Sequence, residues 1–204
     1  MEWSDAGVEG SARFLKRVWK LAHAHLARGP APALDAAALD AEQKALRRAV
    51  HECTQKVGDD IGRRMHFNTA VAATMELVNS LSRSEDHSPQ GRAVMQEALI
   101  HLTLVLQPFT PHLSQSLWRA LGGTGLAMDA DWPAADPAAL ARDEVELVVQ
   151  VNGKLRGSIR VPVAADRAAI EAAALANADV QRFTAGKPPK KVVVVPGRLV
   201  NVVI

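Results

Sequence analysis

The chain has no tyrosine, only four phenylalanines and four tryptophans, and a single cysteine in 204 residues. One cysteine, Cys53, excludes an intrachain disulfide and leaves no thiol framework for zinc, which suits a reducing compartment. So few aromatics argue against recognition of a single strand by base stacking. No apolar run approaches the roughly 18 residues needed to cross a bilayer, and the opening MEWSDAGVEG has neither the basic start nor the apolar core of a secretory signal. A cytoplasmic, membrane-free protein is expected. Because Trp3 stands near the start and a helical pattern begins almost at once, the chain reads as a piece of something longer.

Apolar residues make up 48% of the sequence, enough for a real core. The net charge of +2 conceals an asymmetry: residues 1–144 carry 15 Lys and Arg against 18 Asp and Glu, and residues 145–204 carry 9 against 4. A short basic half suggests a polyanionic partner, although solubility alone can produce the same pattern.

The first 122 residues read as five helices. From about Ser4 to Leu26, Phe14, Val18, Leu21 and His25 share one face, and Gly29-Pro30 ends the run. Arg13, Arg17 and Lys20 form another stripe, either a solvated surface or a phosphate contact. Asp40 and Gln43 suit a capping box for a second helix, whose Leu46, Val50, Cys53, Val57 and Ile61 keep the helical period, so that Cys53 is a core residue. A third helix, from about Asn68 to Leu81, is expected to point Val71, Met75 and Val78 inward. The fourth, Arg92–Leu106, is apolar on most sides and should be the most buried. Pro108 breaks it, and a fifth begins near Pro111, lines its inner face with Leu113, Leu117 and Leu121, and stops at Gly122-Gly123. Residues 123–143 read as a linker that packs on the bundle through Trp132.

Beyond residue 143 the apolar period changes to two. Val145, Leu147, Val149 and Val151 alternate with Glu146 and Gln150, and Asn152-Gly153 fits a tight type I′ turn. The returning strand is expected to place Leu155, Ile159 and Val161 on one face and Lys154, Arg156, Ser158 and Arg160 on the other. Asp166 caps a helix through about Ala176, a helical turn follows near Val180–Phe183, and VVVVP and RLVNVVI supply two more strands. The fold class is therefore multidomain: an all-α bundle over 1–122, a linker over 123–143, and a small basic α+β domain of order β-β-α-β-β over 144–204. One helix backs the sheet, and its uncovered face is expected to be polar and basic.

No convergent set of nucleophile, base and electrophile is visible, so no catalytic residue is assigned. His23 with His25, and His51 with Cys53, stand two apart on helices and diverge, so no metal site is expected. Asp59 and Asp60 precede Arg63 and Arg64 by four residues, an ion-pair spacing, yet this corner between two helices is exposed enough for the arginines to touch a phosphate. Lys154, Arg156, Arg160, Lys187, Lys190, Lys191 and Arg198 concentrate on the small domain and are the candidate RNA contacts. Phe183, its one aromatic, is expected in the core. The pattern favours backbone and shape readout of a folded RNA.

The segments RFLKRVW, DDIGRRMHFNTAVAATMELVNSL, MQEALIHLTLVLQPFTPHLSQSLW, VVQVNGKLRGSIRVP and KVVVVPGRLVNVVI, in this order, closely resemble the C-terminal region of bacterial leucyl-tRNA synthetase. The helical segments are similar to the anticodon-binding domain shared by the synthetases for leucine, isoleucine, valine and methionine; the hairpin and VPGRLVN ending are specific to the leucine group. This resemblance implies tRNA-Leu as partner, with the bundle on the anticodon-stem side and the small domain at the elbow. It carries over the hairpin residues Asn152, Gly153, Lys154 and Arg156. It also implies a catalytic domain in cis with HIGH and KMSKS motifs, ATP and Mg, and an editing domain; neither motif occurs here. This stretch is thus expected to be a monomer with no cofactor and no ligase chemistry of its own. Two alternatives stay open: a bundle that mainly docks on the catalytic body, with RNA contact confined to the small domain, and an isoleucine- or valine-type region, whose usual zinc segment or coiled coil is not seen.

Overall fold

A computed structural model describes residues 5–141, 144–184, 189–195 and 197–204. The chain divides into two compact units, Met1–Leu140 and Ala141–Ile204.

The first unit contains α1 (Asp5–Leu26), α2 (Ala41–Asp59), α3 (Phe67–Arg83), α4 (Pro89–Leu106), α5 (Pro111–Ala120) and the short α6 (Pro137–Leu140). The Asp40 carboxylate accepts from the Gln43 amide while the Gln43 side chain accepts from the Asp40 N–H, so the capping box forms as the sequence indicated. Ser88 accepts from the Gly91 N–H to cap α4, with Pro89 at the first helical position, where a missing N–H costs nothing. Buried along α4 are Ala98, Leu99, Leu102, Val105 and Leu106, which meet Val18, Val50, Val57, Val78, Leu81 and Leu117 from the helices around it. The central position expected for this helix is therefore the one observed.

The inward face of α3 differs from expectation. Ala70, Ala73, Thr74, Leu77, Val78 and Leu81 are buried, whereas Val71 and Met75 lie at the margin. Ala70, Ala73 and Thr74 take the inward positions in the first half of the helix, and Val71 and Met75 flank them, partly buried. Cys53 is buried as expected, and burial pushes its thiol up to about 12, which makes it inert.

The stretch after α5 folds back on the bundle. The Gln115 side chain accepts from the Ala127 N–H, and Trp132 lies over Gly58, where an added Cβ would meet its Nε1 at 3.2 Å. No helix among the described residues is long and apolar enough to cross a membrane.

The second unit contains β1 (Glu144–Val151), β2 (Lys154–Pro162), α7 (Arg167–Ala176), α8 (Ala178–Thr184), β3 (Lys191–Val195) and β4 (Leu199–Val203), in a sheet of order β2-β1-β4-β3. Strand β1 runs antiparallel to β2 and parallel to β4, and β3 is antiparallel to β4. Asn152 and Gly153 take the positive φ angles, 50° and 77°, that the tight turn requires. A second helix, α8, replaces the expected helical turn. Both helices cover one face of the sheet, sealing Leu147, Val149, Val151, Ile159, Val161, Val200 and Val202 under Ala174 and Val180. The other face is open. It is not uniformly polar and basic, because Val148, Leu155 and Val195 are exposed there beside Gln150, Asn201 and Arg160.

Candidate nucleic-acid interface

The strand β2 does not alternate throughout. Val149 pairs with Gly157 but Gln150 pairs with Leu155, which leaves Arg156 as an extra residue in a β-bulge. Everything N-terminal to the bulge changes face. Leu155, expected inside, is 65% exposed. Lys154 shares the face of its partner Val151, while Arg160 shares the opposite face with Glu146. The single cationic face expected for Lys154, Arg156 and Arg160 is thereby corrected.

The bulge turns Arg156 toward α8, where its guanidinium lies over the Phe183 ring at 3.8 Å from the centroid. Phe183, expected in the core, is 45% exposed, and Val180 takes the buried position one turn earlier. A Cβ on Gly157 would stand 3.3 Å from Asn177 Oδ1, so glycine permits the close approach of the loop that opens α8. That loop is also tied to the strand, since the Asn177 side-chain amide donates to the Ser158 carbonyl at 3.0 Å.

The remaining cations divide between the two ends of the sheet. Lys191 pairs with Val203 and Lys190 donates its N–H to the Val203 carbonyl; because β4 parallels β1, both lie at the hairpin end with Lys154. The same end is bound by the Gly153 N–H to Asn201 Oδ1 and the Ile204 N–H to Asn152 Oδ1. Arg160 and Arg198 lie toward the other end, Arg198 just before β4. All five are exposed. Lys187 lies outside the described residues.

Arg63 and Arg64 occupy the corner between α2 and α3, where the chain makes a wide helical turn over Asp60–Arg64 and Met65 adopts a left-handed conformation, φ 53°. The ion pairs read from their spacing form: Arg63 with Asp59 at 2.5 Å and Arg64 with Asp60 at 3.3 Å. Lys56 and the Thr69 hydroxyl also donate to Asp60, and this buried carboxylate is held down at about 2 by those hydrogen bonds. Both arginine side chains stay substantially exposed, at 76% and 49%. Beside them Phe67 is 49% exposed, and Trp19 and Trp132 are also exposed, so the sequence reading understated the accessible aromatic surface.

One group of donors was not foreseen. His51, Glu97 and His101 bring potential ligand atoms within 4.8 Å of one another. The geometry serves an ion network instead. Arg47 bonds both oxygens of Glu97 at 2.8 and 3.0 Å, and His51 Nδ1 accepts from the Asp136 N–H at 3.2 Å, which leaves the proton of a neutral ring on Nε2. That Nε2 sits 3.3 Å from Glu97 Oε1, off the line of a good hydrogen bond. Burial would raise the Glu97 pKa, but His51 and Arg47 outweigh it and hold the group at about 2. Burial depresses the pKa of His101 to about 4, while its Nδ1 pairs with the Thr54 hydroxyl.

Comparison with known proteins places these features in a family. A model for the anticodon-binding domain of tRNA ligases matches residues 43–172. The chain belongs to that family. Over its whole length it is 62% identical to the leucine–tRNA ligase of Thioalkalivibrio sulfidiphilus and 59% identical to that of Chromohalobacter salexigens, of which it spans 25% and 24%. Among solved structures it matches, over 100% of its length and 26% of the other chain, the LeuRS of Agrobacterium radiobacter K84 in a ternary complex with tRNA and LeuAMS, with a TM-score of 0.80 at 29% identity. The chain thus corresponds to about a quarter of the ligases it resembles, and both its units fall within the match.

Proposed function

We propose that this chain is the tRNA-holding part of a leucine–tRNA ligase and carries no ligase chemistry itself. The observation that supports this most is the end-to-end similarity in fold to a leucine enzyme crystallised with tRNA. In this reading the small unit grips the elbow of tRNA-Leu through Lys154, Lys190 and Lys191 at the hairpin end, with Arg160 and Arg198 as further phosphate contacts and Lys187 retained as a candidate. Arg156 contributes partly through its cover over Phe183. The bundle lies along the anticodon-stem side, where Arg63 and Arg64 keep faces open despite their ion pairs. ATP, Mg and the reacting groups belong to a catalytic body in cis, and the assembly is a cytoplasmic monomer.

Binding proceeds by counterion release and shape. Each phosphate neutralised on a duplex steepens log K against log salt by about 0.9. Titrating folded tRNA-Leu with the chain and with Lys154→Ala/Lys191→Ala therefore tests the grip. The expected result is weaker binding and a slope shallower by about 1 to 2; unchanged affinity and slope would remove the hairpin-end contact. Leucine-dependent ATP–pyrophosphate exchange by the chain alone is expected to be absent.

A second reading, in which the bundle is mainly a docking platform for the catalytic body, is favoured by the acidic balance of residues 1–144. In that case Arg63→Ala/Arg64→Ala leaves tRNA affinity unchanged.

A further inference from the structure

The acidic balance of residues 1–144 hides a stretch of one sign. Residues 10–34 carry five cations, Arg13, Lys16, Arg17, Lys20 and Arg28, and no Asp or Glu, whereas the rest of residues 1–144 carries 10 Lys and Arg against 18 Asp and Glu. Four of the five stand on α1. At 3.6 residues per turn, Arg13, Lys16, Arg17 and Lys20 fall within an arc of about 100° and cover about 10 Å of the helix axis. The arc faces directly away from the buried Phe14, Val18 and Ala22, and all four side chains are exposed. Glu9, one turn before Arg13, bounds the strip.

A solvated helix face gains from mixed signs, and the far end of α2 has them: Lys56 pairs with Asp60, Arg63 with Asp59 and Arg64 with Asp60, each four residues apart. On α1 the partners four apart are alike, Arg13 with Arg17 and Lys16 with Lys20. Like charges at that spacing destabilise a helix. Among the described residues none of the four forms an ion pair, and Arg17 donates instead to Asn79 Oδ1 of α3 at 2.7 Å. Folding alone gains nothing from this arrangement, and an anion laid along it removes the repulsion.

We propose that the outer face of α1 is a binding strip for the sugar–phosphate backbone of a base-paired RNA stem, with Lys16 and Lys20 at its centre and Arg13 and Arg17 at its edge. Such a stem presents negative charge at regular intervals along a straight axis, which cations on successive turns of a helix follow without reading a base. The acidic remainder of the bundle confines the attraction to the strip and repels the backbone elsewhere. The inference rests on the reading that the chain holds a tRNA, and it gives the bundle a contact apart from the corner of Arg63 and Arg64.

The test measures binding of folded tRNA-Leu by the whole chain over a range of salt, for Lys16→Ala/Lys20→Ala, for Lys16→Arg/Lys20→Arg and, off the strip, for Lys44→Ala, an exposed lysine on α2. Alanine favours a helix and relieves the like-charge pair, so the first variant is expected to unfold in urea no earlier than wild type. Its tRNA affinity is nevertheless expected to fall roughly threefold to tenfold, with a slope of log K against log salt shallower by about 1 to 2. The arginine pair is expected to keep affinity and slope, and Lys44→Ala to keep the wild-type slope. Unchanged affinity and slope in Lys16→Ala/Lys20→Ala overturn the strip as an RNA site and turn attention to an acidic protein surface as its partner. Weaker binding at an unchanged slope also overturns it, as does an equal loss in the arginine pair or a slope loss per lysine as large in Lys44→Ala. The Lys154→Ala/Lys191→Ala titration, run alongside, separates this inference from the reading beneath it. Loss confined to Lys16→Ala/Lys20→Ala keeps the strip and removes the hairpin-end contact; loss confined to Lys154→Ala/Lys191→Ala does the reverse. A wild-type chain that does not bind tRNA-Leu overturns both.

Discussion

The two units solve the problem of folding differently. The bundle closes its core on all sides around α4, from Phe14 on α1 to Leu121 after α5, and answers its internal polar groups with ion pairs of its own. The sheet unit has about 60 residues, seals one face under α7 and α8, and leaves the other open beside its cations. A domain of that size is marginal by area alone. The difference is that Asp59, Asp60, Arg63 and Arg64 of the bundle are paired with one another, whereas Lys154, Arg160, Lys190, Lys191 and Arg198 are exposed on a small scaffold.

The sharpest way to break this contrast is to cut each core separately. Leu102→Ala, at a fully buried site on α4, is expected to cost the bundle about 3 kcal/mol in urea unfolding, without altering the amide spectrum of the sheet unit. Leu147→Ala is expected to cost a similar 2 to 3 kcal/mol. In the smaller unit that loss leaves β1 to β4 largely unfolded while the bundle's transition stays in place. Coincident loss of both units in either variant would show that they do not fold independently.

Acid should separate them next. Folding holds His101 in its neutral form, with a pKa of about 4 against an ordinary 6.5, so its stabilisation is present above 6.5 and is lost as pH falls from 6.5 toward 4. Asp60 and Glu97, both held at about 2, contribute above their ordinary values near 4 and lose that contribution as pH falls toward 2. All three lie in the bundle. The His101 part is expected to lower the bundle's stability by on the order of 2 kcal/mol between pH 7 and pH 4 and to be abolished in His101→Gln. A bundle whose stability stays level over that range would contradict the assignment. The smallest effect concerns the cap: Asp40→Ala is expected to cost about 1 kcal/mol, measured by the same urea transition.

Much of the architecture was legible in the sequence, and the exceptions have definite causes. The capping box at Asp40 and Gln43, the helix stop at Gly122 and the turn at Asn152-Gly153 are local, so residue chemistry alone carries them. The bulge at Arg156 was hidden because Leu155, Gly157, Ile159 and Val161 keep one parity in sequence, and the extra residue breaks it only in space. Gly157 was the available signal, since a glycine inside a strand often marks a bulge or a close approach. Phe183 followed from the same event, as Arg156 could cover it only once the bulge had turned it toward α8. The Arg47–His51–Glu97–Asp136 network joins residues 50 and 89 positions apart, and no local pattern encodes such a meeting.

The central claim is that the displayed cations of the sheet unit, more than the paired cations of the bundle, hold the tRNA. It is tested most directly by measuring tRNA-Leu affinity and salt slope for Lys154→Ala/Arg160→Ala/Lys191→Ala beside Arg63→Ala/Arg64→Ala. We expect the triple substitution to weaken binding at least tenfold and flatten the slope by about 2 to 3, with the bundle pair changing affinity less than threefold. Full affinity and slope in the triple variant, with the loss concentrated in Arg63→Ala/Arg64→Ala, would contradict it.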